Sequence, residues 1–343
     1  MRKFSTMKRI FIAASFLCAA LSLTNCSSDK EFIEDQPVQP EQPETQFCEA
    51  SLVARLTETR AQVSEDGSSI AWTAGDELQV AVVDGTAVKN STFSIAEADL
   101  KNNLFKPAQP MQLEAQKSYD WYATFPKVQI YPDGAFALGN QTQAGDNNRA
   151  HLNVTMLATG SAKAVKATAT PEITFKHHTA LMKFNVQNSV GAVEIQGIAI
   201  KSSNAPVGGN LKVNFADHTS VVNNGVQELK LTLTPAVAVA TNGSMNAYMS
   251  VAPFTLAQGD VLTITLFTNK GVVSQRMTMK KEMVFQAGSI YPTNVVVKGD
   301  KITSVIIDWI PNGIDGELQP EAPEVEGMNG TFEPLVWMDE ETF

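Results

Sequence analysis

The sequence predicts an all-β protein, and three observations carry that prediction. Apolar residues recur at every second position in short runs such as Glu77-Leu78-Gln79-Val80-Ala81-Val82-Val83 and Val261-Leu262-Thr263-Ile264-Thr265-Leu266-Phe267, the period of a half-buried strand. These runs end at Gly, Asn, Asp or Pro roughly every ten to fifteen residues, the rhythm of antiparallel sandwiches. Charged residues make up only 18% of the 343-residue chain against 43% hydrophobic. That composition is rich enough to bury a sizeable core and too poor in charge for a typical cytosolic helical enzyme. The length accommodates two sandwiches of about 120–130 residues in tandem.

The elements follow in order. Residues 1–25 carry Arg2, Lys3, Lys8 and Arg9 with no acid, and an apolar run spans 10–23. That run is shorter than the ~20 residues of a membrane-spanning helix and fits the apolar part of an export signal. It stops at Leu23-Thr24-Asn25-Cys26, which resembles a bacterial lipoprotein signal. The resemblance implies cleavage before Cys26 and acylation of that cysteine. No other run reaches ~20 apolar residues, so no further membrane span is predicted. Residues 26–46 hold Pro37, Pro40 and Pro43 among Gln and Glu and read as a flexible acidic tether.

The folded body begins with an expected strand over 47–56 and a first sandwich over 47–170. A single helical turn is expected at 96–100, and the Gly-, Asn- and Gln-rich passage 139–149 reads as a long loop. The boundary falls near Ala169-Thr170-Pro171. The strand Ile173-Thr174-Phe175 then opens a second sandwich over 171–310. Residues 311–343 form an acidic arm, interrupted by the small apolar cluster Leu335-Val336-Trp337-Met338. Net charge is −10, yet residues 50–307 hold 21 basic and 19 acidic groups, so the excess lies in the two ends. Like charges keep such arms extended. The acidic balance excludes nucleic acid as a partner, since phosphate binding needs a basic footprint.

Catalytic chemistry has no constellation to rest on. The four histidines are His151, His177, His178 and His218. His177 and His178 are adjacent, and neighbours on a strand point to opposite faces, so they cannot share a metal as i, i+2 ligands could. One is expected packed and hydrogen-bonded, the other exposed. No nucleophile elbow, zinc-protease motif or phosphate loop occurs. The sequence therefore predicts no enzyme, no cofactor and no metal. Of the three cysteines, the lipoprotein-signal resemblance implies that Cys18 would leave with the signal and Cys26 would be lipidated, which would leave Cys48 unpaired. It reads as a small buried hydrophobe on the first strand, with an intermolecular disulfide as the alternative.

A series of weak motifs in order resembles the fimbrillin family of Bacteroidetes surface lipoproteins, the Mfa-like branch that builds type V pili. The series runs through Thr59-Arg60-Ala61, then Trp72-Thr73-Ala74-Gly75-Asp76-Glu77-Leu78, then Tyr119-Asp120-Trp121-Tyr122-Ala123-Thr124-Phe125-Pro126. It continues with the Gln-rich passage 141–158 and Ile173-Thr174-Phe175-Lys176-His177-His178-Thr179-Ala180-Leu181-Met182-Lys183-Phe184. It closes with Phe285-Gln286-Ala287-Gly288-Ser289-Ile290-Tyr291 and Asp308-Trp309. The resemblance implies two tandem transthyretin-like sandwiches, export as an acylated precursor and a surface-exposed place in the outer membrane and fimbrium. It also implies removal of the first strand by an Arg-specific protease, with the opened groove filled by a neighbour's C-terminal strand. Here the matching cut is after Arg60, with Arg55 as second candidate. The candidate donor or docking residues are Ile302, Val305, Ile307 and Trp309, with Leu335 and Trp337 beyond them.

The implied function is a structural and adhesive fimbrial subunit, or an accessory tip or anchor protein. Its implied partners are other pilus subunits through strand exchange, the outer membrane through the lipid, and a host protein or glycan. The competing reading is a surface glycan-binding lipoprotein of a nutrient-uptake system, whose signature would be coplanar exposed aromatics. Trp72, Trp121 and Trp309 lie instead in strand-like patterns that indicate core positions.

Overall fold

The computed structural model describes residues 45–56, 72–189, 191–298 and 301–306. Eleven strands precede the turn at His178: β1 (Phe47–Glu49), β2 (Leu52–Leu56), β3 (Glu77–Asp84), β4 (Ala87–Ser94), β5 (Leu104–Pro107), β6 (Gln112–Glu114), β7 (Ser118–Phe125), β8 (Phe136–Leu138), β9 (Gln141–Gln143), β10 (Ala158–Lys166) and β11 (Glu172–His177). Twelve follow it: β12 (Ala180–Asn188), β13 (Val193–Ser202), β14 (Gly208–Asn214), β15 (Thr219–Val226), β16 (Glu228–Val239), β17 (Ser244–Val251), β18 (Phe254–Leu256), β19 (Val261–Thr268), β20 (Gly271–Thr278), β21 (Met283–Phe285), β22 (Ile290–Lys298) and β23 (Lys301–Ile306). The only helical elements among the described residues are a 3-10 turn at Glu97–Asn102 and α1 (Leu152–Thr155). The chain is all-β, as its period-2 pattern indicates.

The first core is enclosed by a sheet that closes on itself in the order β10-β11-β2-β5-β4-β3-β7. Trp72 sits inside it, with its ring edge-on to Phe105, Phe125 and Phe175 at centroid distances of 5.0, 5.4 and 5.7 Å. Trp121 meets Phe93 in the same edge-to-face manner at 6.1 Å. Such pairs add about 0.5–1.5 kcal/mol each beyond burial alone. Gly160 on β10 lies where a Cβ would come within 2.4 Å of the Ile173 side chain and 2.7 Å of the Thr174 carbonyl oxygen. Only glycine allows β10 and β11 to approach that closely.

The second core lies between a five-stranded sheet, β20-β19-β13-β16-β9, and a four-stranded sheet, β17-β12-β22-β23. Met182, Phe184 and Met249 from one sheet pack with Ile198, Leu231 and Ile264 from the other. A third sheet, β15-β14-β8, covers the outer face of the first group. There Ala81, Val83 and Tyr122 pack with Ile130, Leu211 and Phe215. Tyr122 and Tyr131 stack at 3.9 Å, with Phe215 edge-on to both.

Several expectations change in detail. The strand expected over 47–56 is two strands, broken at Ala50-Ser51, because β1 pairs with β6 while β2 joins the closed sheet. Ile173 and Phe175, expected to open the second sandwich, point into the first core instead. Their strand, β11, pairs with β2 and β10, and the chain passes to the second sheets between His177 and Ala180. The passage 139–149 is not simply a loop. Its Gln141–Gln143 is β9, and with β8 it joins strands from the second half of the chain.

Candidate functional site: the first strands and their seat

The candidate site is built around β2. Its alternation places Leu52 and Ala54 in the first core, fully buried, and turns Arg55 outward. β2 is held antiparallel to β5 through only Leu52↔Phe105 and Val53↔Leu104. On its other side it lies parallel to β11 from Val53↔Glu172 to Leu56↔Phe175. Two further backbone bonds, Val53 N–H to Pro171 O at 2.9 Å and Ala54 N–H to Asn103 O at 3.0 Å, complete the seat. Trp72 adds a side-chain tie, donating from Nε1 to the Ala54 carbonyl at 2.8 Å. Beneath β2 lies the aromatic floor of Trp72, Phe105 and Phe175.

Arg55 forms a two-pronged ion pair with Glu172, Nε to Oε2 at 2.9 Å and Nη2 to Oε1 at 3.0 Å. The pair lowers the Glu172 carboxyl below its ordinary range, through the hydrogen bond first and the charge second. Both side chains are more than half exposed, so solvent screens the pair and it adds little stability. Arg60 and Cys26 lie outside the described residues.

Cys48 is on β1 opposite Leu113, half-buried rather than in the core, with its thiol free. It lines a cavity of about 160 Å³ with Leu113, Trp121 and Ala167. The cavity sits where β1 breaks from β2, because the two strands serve different sheets.

At the chain's other end β23 runs antiparallel to β22, with Val295↔Val305 and Val297↔Ile302 in register and an irregularity between Val296 and Val297. Ile302 and Val305 are therefore on a strand that closes the four-stranded sheet. Ile307, Trp309, Leu335 and Trp337 lie outside the described residues.

The histidines differ from expectation. His177 and His178 are both buried: His177 continues the buried row of Ile173 and Phe175 along β11, and His178 lies against Thr159. His178 Nε2 is 2.7 Å from Thr159 Oγ1, while neither ring nitrogen of His177 has a partner. Burial pushes the His177 imidazole down to about 3, with the His178 charge second. Burial likewise pushes His178 down to about 4, with His218 and Lys176 adding to it. Both are neutral at pH 7. Among the described residues no group of three or more His, Cys, Asp or Glu is placed to hold a metal ion.

Trp72 and Trp121 are buried, and Phe47 is the one aromatic among the exposed large hydrophobics of the described residues. Those residues offer no row of exposed rings for a sugar to stack on. Sequence reasoning missed Gln141 and Gln143, whose amides reach across to β17. Their i, i+2 spacing on one face of a strand was the available signal.

The described residues thus form a closed β-sheet followed by a second two-sheet core, an all-β architecture. The chain belongs to the fimbrillin-like family, whose model matches residues 59–309. The family's proteins are structural rather than enzymatic, and this chain is a fimbrial-type protein. Among solved structures it resembles a candidate cell adhesion protein of Bacteroides ovatus at 15% identity, covering 78% of this chain and 100% of that one with a TM-score of 0.51. A candidate cell adhesion protein of Bacteroides uniformis matches at 16% identity over 78% and 97% of the two chains, TM-score 0.45. The C-terminally truncated tip fimbrial protein Mfa3 of Porphyromonas gingivalis matches at 12% identity over 77% and 100%, TM-score 0.40. No curated protein matches the chain.

Proposed function

We propose that the chain is a fimbrial subunit or accessory tip or anchor protein, exported as an outer-membrane lipoprotein through Cys26 and assembled by strand donation. The observation that carries this reading is the seat of β2. Removing β2 would strip the ladder from β5 and β11 and uncover Trp72, Phe105 and Phe175. Unsatisfied N–H and C=O groups above an apolar floor are what an incoming strand from another subunit satisfies. A cut after Arg60 would release β1 and β2 together, whereas one after Arg55 would divide β2. The donated strand would come from the C-terminal segment that holds Ile302, Val305, Ile307 and Trp309, with Leu335 and Trp337 as distal anchors. Mass spectrometry of the cell-surface form tests the reading. An acylated Cys26 terminus marks the anchored form and an Ala61 terminus the assembled form. A surface protein that begins at neither residue contradicts it.

A further inference from the structure

The outer edge of β17 should be a hazard. Ser244–Val251 is eight residues long, carries no charge and no proline, and ends the four-stranded sheet. An edge of that kind is a template for pairing with another chain.

Yet every outward-facing backbone group from Asn246 to Ser250 has a partner, and none of the partners is a ladder strand. The Gln141 amide serves Ser250 twice, with Oε1 accepting from its N–H at 2.9 Å and Nε2 donating to its carbonyl at 2.6 Å. The Gln143 amide accepts from the Tyr248 N–H at 2.8 Å and donates to the Asn246 carbonyl at 3.0 Å. Asp146 Oδ1 accepts from the Asn246 N–H at 2.8 Å. His151 Nε2 lies 2.8 Å from the Tyr248 carbonyl, which can only accept, so that nitrogen carries the proton. An amide side chain has the donor and acceptor of a peptide group, so two glutamines at i, i+2 present two peptide surrogates at strand spacing. Meanwhile the β9 backbone pairs in parallel with β16 of the facing sheet, at Leu231↔Gln141, Thr232↔Thr142 and Leu233↔Gln143. One three-residue strand thus completes one sheet with its backbone and closes the other with its side chains.

We propose that Gln141 and Gln143, with Asp146 and His151, form an edge cap that denies β17 to the strands of a second copy and so keeps strand addition away from this side of the molecule. The cap is a property of the chain whether or not the protein builds a filament.

The test uses the full chain with Gln141→Met and Gln143→Met together, which keep side-chain length and remove both amides. Amide exchange at Tyr248 and Ser250 should accelerate by at least about tenfold, the effect of losing a few hydrogen bonds. Light scattering should show the variant as dimers or larger where the parent is monomeric. Unchanged exchange at both amides, or a fully exposed edge on a protein that stays monomeric, overturns the proposal. Should the double variant not fold, Gln143→Met alone should accelerate Tyr248 and spare Ser250. Equal acceleration at both positions, or none at either, again overturns it.

Discussion

The Trp72 indole nitrogen donates to the Ala54 carbonyl at 2.8 Å, so a residue at the heart of the first core also holds the backbone of β2. The two are 18 residues apart in sequence, and the bond is buried. A strand joined to β5 by only two registered pairs depends on ties of this kind.

Trp72→Phe should therefore do more than shrink the core. It leaves a buried carbonyl without its donor, a loss of about 1–3 kcal/mol, and Trp72→Ala adds a cavity for a total of about 3–5 kcal/mol. Denaturant unfolding measures the loss. Hydrogen exchange across Leu52–Leu56 should rise more than exchange across β13. Equal loss in both places would show that Trp72 supports the core without tethering β2.

Stability should fall as pH drops below neutrality, and the sign follows from the two buried histidines. An unfolded histidine takes up a proton near pH 6.5, whereas His178 holds out to about 4 and His177 to about 3. Between 6.5 and 4 the unfolded chain binds more protons than the folded one. The contribution of both neutral rings is thus complete above 6.5 and lost on the way down. Each ring supplies a slope of up to about 1.4 kcal/mol per pH unit. Melting temperature measured from pH 7 to pH 5 should fall for the parent. It should fall less steeply for His177→Leu, which has no bonded partner to lose. Parallel curves would rule out His177 as a source of the slope.

Gly160→Ala should destabilise by about 1–3 kcal/mol, because the new methyl meets a backbone oxygen that cannot swing aside. A substitution at Gly85, whose Cβ would have open space around it, tests a different quantity, since only its φ of +58° opposes a side chain. A Gly160→Ala midpoint equal to that of the parent would mean that β10 and β11 can part locally at no cost.

The strands themselves were legible because a period of two is a local signal that survives any arrangement of sheets. Leu78, Val80 and Val82 alternate, and all three are buried. What the sequence could not display is partnership. Ile173 and Phe175 make a strong strand wherever they go, and only the closing of the first sheet assigns them to it. The break between β1 and β2 has the same origin, as does the burial of both His177 and His178. Residues 139–149 read as a loop because Gln, Asn and Gly favour turns, and their role lies in side-chain amides more than in backbone propensity. The family resemblance was legible over residues 59–309 because several weak motifs occur in order, none of them decisive alone.

Truncation after Gln319 should leave a folded, exported protein, because the described sheets end at Ile306 and the closing strand β23 is retained. Under the strand-donation reading this variant lacks Leu335 and Trp337 and should not enter fibres. Electron microscopy and pull-down of co-assembled subunits measure that. Fibres as abundant as those of the parent would remove the distal segment from the list of donors.

The two arginines make the sharpest contrast. Arg55 is in β2, laddered against β11 and paired with Glu172, so a protease that reads extended chain must wait for local opening to reach it. Arg60 follows the end of β2 in sequence, and a cut there frees both first strands without dividing either. Arg60→Ala should therefore abolish the surface form that begins at Ala61, while Arg55→Ala should leave it in place. The Arg55→Ala variant loses only a solvent-screened ion pair, so its stability should change by less than about 1 kcal/mol. N-terminal sequencing of protein shed from each strain decides between them. If Arg55→Ala blocks processing and Arg60→Ala does not, β2 is divided and its N-terminal part alone is what the incoming strand replaces.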